Sequence, residues 1–499
     1  MEPTEAIQQH LGRTGGTVTA AVLAGAVQRA VRAGGLSAGD RLPTVRSLAR
    51  VLQISPDTVA RAYRELGRRG VLAAAPGRGT FIADGAGVAA EDAQPCQLRA
   101  ASRVSASLAM VRLAQESGGA IPMSAAIADP TLAPLELVRR AANAVFRQRP
   151  DLVTNGPPAE GLPALRAAVA AHLTSLGGRQ VNADEVLVTT GAQQGIDLSA
   201  AVLGRPGDAV LVEEFTYVGA LESFRQRGLR AVPVPMDDQG IDPDALEHLV
   251  QFERPRFAYL QPTFQSPTGL VLSSARRQRA LDVLGRWHVP LVEDTIFCDV
   301  DFRARPSLPL GLADSSGSVI MVGSFSKTMY YGIRLGYLVT PSGLAERFAI
   351  AKYASDGHTS PLVQAVMELL IRVGRWQEQA MKVRQVYRQR RDALDATLSE
   401  RAGELLQWRR PEGGFNFWLR LPAGVSDQEV VRRALAHGLA ISGGSAFQVA
   451  DGPCDWIRLS FSTVPIERVG DAVKRLVRTV EEAAAQEARL GRAPSPAPA

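Results

Sequence analysis

The chain has 499 residues, 46% of them hydrophobic and 21% charged, the composition of an ordinary globular protein with room for two or three domains. No basic-then-apolar leader opens it and no apolar run is long enough to span a bilayer, so a cytoplasmic location without a membrane partner is expected. The net charge of +6 is uneven: residues 1–84 hold eleven arginines against six acidic residues, a basic module on a nearly neutral body that points toward nucleic acid. In chain order, Val18–Ala33 alternates apolar and polar residues at helical spacing and stops at Gly34-Gly35. Pro43 then precedes a short helix over Val45–Leu52. The stretch SPDTVARAYRELGRRG follows, with Ser55 as N-cap, Pro56 at the first helical position, Asp57 in the first turn and Gly70 past the end. Two short helices joined by a tight turn predict a helix-turn-helix whose second helix enters the major groove. Two strands over Val71–Ile82, about the turn Pro76-Gly77-Arg78-Gly79, add a wing.

The stretch LPTVRSLARVLQISPDTVARAYRELGRRGVL…GRGTF resembles the winged-helix domain of GntR-type bacterial regulators. The resemblance implies that Arg46 and Thr58 hold phosphates or bases of a double-stranded operator. It also implies that Ser55 contacts the DNA backbone and that Arg78, at the wing tip, reaches into the minor groove. Relatives often carry an arginine where this chain has Pro56, which moves the expected base readout to Asp57, Thr58 and Arg61.

Asp84 to about Ala120 is rich in Ala, Gly, Ser and Gln and lacks strong periodicity, apart from a short helix near Leu108–Ala114. It reads as a linker, residues 85–120, between a DNA-binding domain at 1–84 and a second domain at 121–484. From Ile121 strands alternate with helices, the pattern of an α/β domain with a largely parallel sheet. Leu135–Phe146 and Leu162–Leu173 read as helices. Val186–Thr190 is a strand running into GAQQG and a helix to Leu203, a turn that offers backbone N–H groups to an anion. Further strands are expected at Ala209–Glu213, Phe257–Leu260, Pro290–Glu293 and Val319–Gly323. A long charged helix is expected over Gly374–Arg401, strands at Glu412–Leu419 and Trp456–Phe461 in a small C-terminal α+β subdomain, and a helix at Ile466–Ala484. The tail 485–499 is expected to be disordered.

Lysine is scarce: Lys327, Lys352, Lys382 and Lys474 are the only four among 56 basic residues. A lysine kept where arginine would serve as a cation suggests amine chemistry. Around Lys327 stand Ser324, Ser326 and Arg334, suited to a phosphate dianion, which together describe a pyridoxal-phosphate pocket. The rest of such a site can be matched in order. Asp294 would keep the pyridine nitrogen protonated, Ala192 and Gln193 would add phosphate donors, Tyr217 would stack on the ring, and Arg458 would pair with a ligand α-carboxylate. Cys96, Cys298 and Cys454 are scattered without ligand spacing, so no disulfide framework or metal site is expected.

Through TTGAQQG, QPTFQSPTG, VEDTIF, SFSKTMYYGIRLGY and WIRLSF, residues 121–482 resemble fold-type I aminotransferases. Joined to a GntR-like winged helix, the whole looks like the MocR subfamily of bacterial transcription regulators. That resemblance implies a head-to-tail homodimer in which Lys327 forms a Schiff base with pyridoxal phosphate. The resulting aldimine would report a vitamin B6 compound or a small amino-compound effector to the DNA-binding domain. It departs from active aminotransferases at three positions: Ser266 replaces the Asn of the NPTG loop, Phe297 a Tyr near the cofactor's phenolic oxygen, and Asn155 a Tyr that reaches the partner's phosphate. Each lost polar contact costs on the order of 1 kcal/mol of cofactor binding. The alternative function is a working aminotransferase with an appended DNA-binding module, because Lys327, Asp294 and Arg458 are intact.

Overall fold

The structure, a computed structural model, describes residues 3–11, 18–68, 71–75, 79–83 and 119–489. The chain falls into two units, Met1–Ser102 and Arg103–Ala499.

The first unit comprises the helices Pro3–His10, Ala20–Arg32, Val45–Leu52 and Pro56–Arg68 and the antiparallel strands Leu72–Ala75 and Gly79–Ile82. The helix expected from Val18 begins at Ala20 because Thr19 caps it, its hydroxyl accepting from the Val22 N–H at 3.4 Å. It ends where Gly34 takes φ +73. The turn of the helix-turn-helix passes through Gln53 at φ 54, after which Ser55 caps Pro56–Arg68 by accepting from the Thr58 N–H at 3.1 Å. Leu23, Val27, Leu48, Val59, Ala62 and Leu66 are each 0% exposed and form the core, their three- and four-residue spacing aiming one face of each helix inward. The helix Pro3–His10, without a strong signal of its own, adds Ala6 and Ile7 to that core. Arg78 and its neighbours 76 and 77, and the expected linker up to residue 118 with its short helix, lie outside the described residues.

The second unit is built on a seven-stranded sheet. Its order is Val186–Thr189, Gly336–Val339, Val319–Ser324, Leu291–Asp294, Phe257–Leu260, Ala209–Glu213, Arg230–Val234. Gly336–Val339 runs antiparallel to both neighbours and the other strands are parallel. Helices cover both faces, which is why these strands read as continuous apolar runs. Leu211, Leu260, Leu291 and Met321 join one core cluster, and Val210, Val212, Val292 and Val322 join the other.

The smaller subdomain is an antiparallel sheet of Gln407–Trp408, Asn416–Arg420, Trp456–Ser460 and Ser442–Gly443. It packs Phe417, Leu419, Ile457 and Leu459 into one core with the helices Arg375–Ala402 and Ile466–Arg489. Two expected boundaries need correction. The strand placed from Glu412 begins at Asn416, because Gly414 at φ +67 interrupts the extended chain. The last helix continues to Arg489 through the Ala- and Glu-rich EEAAAQEAR, so residues 485–489, expected in the disordered tail, are helical.

Candidate functional site

The carboxyl ends of the parallel strands lead into Ala192 and Gln193, Tyr217, Ser266, Asp294, and Ser324, Ser326 and Lys327, where ligands bind in open α/β sheets. The strand Val319–Ser324 hands Ser324, Ser326 and Lys327 into the turn that follows it. The Lys327 amine donates to the Ala126 carbonyl and lies 4.9 Å from the Phe297 ring centre and 5.5 Å from that of Phe415. Burial pulls this amine down to about 7, with Arg458 and Arg334 pushing the same way and Asp294 opposing. A lysine with that affinity for protons is substantially neutral at physiological pH and able to attack an aldehyde.

Asp294 ends its strand at 2% exposure. One carboxylate oxygen accepts from the Tyr259 hydroxyl and the Gln261 amide, both at 2.8 Å, and the other from the Ile296 N–H at 3.0 Å. Burial raises its carboxyl, and these three donors and Lys327 oppose the rise. A fixed, buried carboxylate of this kind suits a protonated ring nitrogen.

The anion end is built from close backbone approaches. Gly191 takes φ +84 before the helix Ala192–Leu203, and a Cβ there would stand 3.0 Å from the Arg334 guanidinium. The first-turn N–H groups of Ala192 and Gln193 lack intrahelical carbonyls, as at any helix start. Arg334 donates to the Thr190 carbonyl at 3.2 Å. The Ser324 hydroxyl accepts from the Ser326 N–H at 3.2 Å, whereas the buried Ser326 hydroxyl oxygen has no hydrogen-bond partner. An orphaned buried hydroxyl on the turn that carries Lys327, and an arginine at a helix N-terminus, are the kinds of donor a phosphate needs.

The Gln193 side chain is engaged away from the anion end. Its amide donates to the Gly219 carbonyl at 2.8 Å and the Ser223 hydroxyl at 2.9 Å, and it accepts from the Tyr217 hydroxyl at 3.0 Å. Only its backbone N–H remains for an anion, and its side chain instead fixes the Tyr217 ring. Ser266 is buried with its N–H donating to the Gln261 side-chain amide oxygen at 2.9 Å, and Phe297 packs edge-on against Phe415 at 5.4 Å. Asn155 is exposed at the end of Pro150–Thr154. Arg458, 4% exposed, donates to the Ser124 carbonyl and to the Ser442 hydroxyl at 3.3 Å and stacks 4.5 Å over Phe447. Burial lowers its guanidinium to about 9.

Three supporting groups escaped the sequence reading. Gln261 bridges Asp294 and the Ser266 backbone, joining the ring-nitrogen carboxylate to the QSPTG loop. Glu213, buried at a strand end, accepts from the Gln261 N–H at 2.9 Å and the Gln265 amide at 3.2 Å, and burial raises it to about 8. Lys352, 0% exposed, pairs with Asp356, whose other oxygen holds Gln194 at 2.8 Å and Thr190 at 3.1 Å behind the anion end. The scarcity of lysine could have flagged Lys352, which serves here as a buried ion pair.

In the first unit, Arg46, Ser55, Asp57 and Arg61 are exposed and Thr58 is half-buried; all but Arg61, which lies a turn further on, stand at the starts of the two helices of the helix-turn-helix. Asp57 and Arg61 pair at 2.8 Å with both side chains in solvent, a bond weak enough to exchange for other partners. Among the described residues no cluster of His, Cys, Asp or Glu could hold a metal, and no helix is long and apolar enough to cross a membrane.

Residues 123–476 match the family model "Aminotransferase class I and II", and residues 19–82 match "Bacterial regulatory proteins, gntR family". A 2-aminoadipate transaminase of Thermus thermophilus is 34% identical over 389 residues, covering 77% of this chain and 96% of that protein. An uncharacterized HTH-type transcriptional regulator of Bacillus subtilis, YdfD, is 27% identical over 455 residues, 90% of this chain and 93% of its own. The crystal structure of the α-aminoadipate aminotransferase LysN from Thermus thermophilus, complexed with N-(5'-phosphopyridoxyl)-L-leucine, superposes with a TM-score of 0.71 at 33% identity, covering 76% of this chain and 95% of that one.

Proposed function

The chain belongs to the aminotransferase class I and II family and carries a gntR-family domain ahead of it, and from this we propose that it is a DNA-binding transcription regulator that senses an amino compound through pyridoxal phosphate. The observation that carries the reading is the pairing of a helix-turn-helix with an intact lysine–aspartate–arginine set, Lys327, Asp294 and Arg458, in a chain that aligns with a transcriptional regulator over 90% of its length.

When bound, pyridoxal phosphate supplies an aldehyde for amines and an electron-withdrawing ring. Lys327 presents a neutral amine to that aldehyde. Asp294, held by Tyr259 and Gln261, keeps a proton on the ring nitrogen. Ser326, Arg334 and the N–H groups of Ala192 and Gln193 hold the phosphate, Tyr217 lies against the ring, and Arg458 takes the ligand's carboxylate. By the resemblance, Ser266 and Phe297 would stand near the phenolic oxygen and offer it a short hydroxyl and none, which would favour holding a ligand over turning it over.

Arg46 and Thr58 hold the DNA, Ser55 touches its backbone, Asp57 and Arg61 read bases, and Arg78 enters the minor groove. The protein acts as a head-to-tail homodimer. In support, the helix Ser342–Asp356 exposes Ile350 at 63% and Tyr353 at 72% on one face. The ligand shifts DNA affinity by binding two arrangements of the dimer unequally.

A second reading, an active aminotransferase with a DNA-binding module, is favoured by the 34% identity to a transaminase. Lys327→Ala separates sensing from scaffold. The variant should lose the visible absorbance of the loaded protein and keep basal DNA binding, while its DNA affinity ceases to respond to amino acids. A normal ligand response in the variant would sink the proposal.

A further inference from the structure

The sheet face that carries Arg458 carries a second buried polar side chain. Asn416–Arg420 pairs antiparallel with Trp456–Ser460, so that Asn416 lies opposite Ser460 and Trp418 opposite Arg458. Opposed residues share a face and so do residues two apart, which sets Asn416, Trp418, Arg458 and Ser460 on one side of the sheet. Phe417 and Leu459 turn the other way, into the core shared with the long helices.

The Asn416 side faces the candidate site. Trp418 clusters with Val218 and Tyr217, and the charge of Arg458 is felt at the Lys327 amine. Gly269 of the QSPTG loop comes so close that a Cβ on it would lie 3.1 Å from the Asn416 carbonyl. Asn416 therefore stands between the QSPTG loop and Arg458.

Asn416 is 2% exposed, and its side-chain oxygen has no hydrogen-bond partner. A buried carboxamide left in that state costs stability, whereas an apolar side chain of the same branched shape carries no such polar penalty. A ligand group that completes the hydrogen bond accounts for an amide at this position.

We propose that Asn416 selects the ligand's side chain, favouring amino acids with a hydroxyl or carboxamide over aliphatic amino acids of the same size. The inference rests on the reading of this site as an amino-acid pocket around Lys327 and Arg458. A half-turn of the amide exchanges its oxygen and nitrogen, so it can meet either a donor or an acceptor on the ligand. Polar groups of this kind discriminate by rejection, because an aliphatic isostere leaves them unpaired in a dry pocket.

The test uses the full-length protein loaded with pyridoxal phosphate, titrated with threonine against valine and with glutamine against methionine, and read by visible absorbance. The polar member of at least one pair should bind about 3- to 10-fold tighter, the yield of one net hydrogen bond. In Asn416→Leu that ratio should fall to near one while the melting temperature of the ligand-free protein holds or rises. Asn416→Ala removes the amide without adding bulk, and the ratio must collapse there too. Equal affinities within both pairs, a ratio that survives in the variants, or a clear drop in the Asn416→Leu melting temperature would overturn the proposal, the last by making the amide structural. If no amino acid changes the absorbance of the wild-type protein, the amino-acid pocket itself fails, and this proposal with it.

Discussion

Arg458→Met removes a buried cation while keeping an unbranched stem over Phe447. Burial draws the guanidinium from 12.5 to about 9. At ~1.4 kcal/mol per pH unit, the ligand-free pocket disfavours the charge by something on the order of 5 kcal/mol relative to water. A ligand carboxylate would offset that cost, so the effects on folding and on binding should separate. Folding should change little, because an apolar side chain in place of a buried charge is often neutral or stabilising. The Ser442 hydroxyl also keeps its own bond to the Ser124 carbonyl at 2.7 Å, so neither is orphaned by the substitution. Binding of an α-amino acid should weaken by roughly 1.5–3 kcal/mol, about 10- to 150-fold, as charge-assisted hydrogen bonds are lost. The amine made by decarboxylating the same amino acid should bind both proteins within about 3-fold, since it never used those bonds. Absorbance titrations of the loaded proteins with the two ligands measure this directly. Equal losses for the amino acid and the amine, or no loss for either, would refute a carboxylate role for Arg458.

Capture of pyridoxal phosphate by the cofactor-free protein should quicken as pH rises, with its midpoint at about 7 where an ordinary lysine would give 10.5, because only the neutral Lys327 amine attacks; stopped-flow absorbance across pH 5–10 tests this, and a midpoint near the ordinary value would contradict it. Glu213, raised from 4.5 to about 8, binds a proton in the folded protein that the unfolded chain has released, so its contribution is fully present below 4.5 and is lost as pH climbs through 8. Calorimetric melts should therefore show wild type losing stability across that window and Glu213→Gln losing less; parallel profiles would remove Glu213 as the cause. Arg46→Ala should weaken DNA binding across sequences and lower the slope of log affinity against log salt by about 1. An unchanged slope would take Arg46 off the phosphates.

The main-chain frame of the site was legible because each part has a local cause. TTGAQQG announces a glycine before a helix N-terminus, and the φ of +84 at Gly191 is a conformation that glycine adopts readily. The strands ending at Asp294 and Ser324 were visible as buried apolar runs. What escaped depends on residues distant in sequence. The Gln193 side chain gives no sign in the sequence of its bonds to Gly219 and Tyr217. Gln261, two positions beyond Tyr259 at a strand end, carries no sign of the Asp294 carboxylate that both of them hold. Asn416 becomes notable only once strand register sets it beside Arg458. The second helix of the helix-turn-helix was placed by its cap, Ser55, which accepts from the Thr58 N–H; the first was placed by Pro43, and its cap, Thr44, accepting from the Ser47 N–H, went unread.

The central claim is that ligand occupancy at Lys327 is reported to DNA. The direct measurement loads the protein with pyridoxal phosphate, binds it to an operator selected from random duplexes, and records DNA affinity and keto-acid release together as amino acids are added. The account predicts that at least one amino acid changes DNA affinity by about 5-fold or more, the low end of allosteric coupling, without steady keto-acid release. Steady keto-acid release with unchanged DNA affinity would contradict it and make the protein an enzyme that happens to bind DNA.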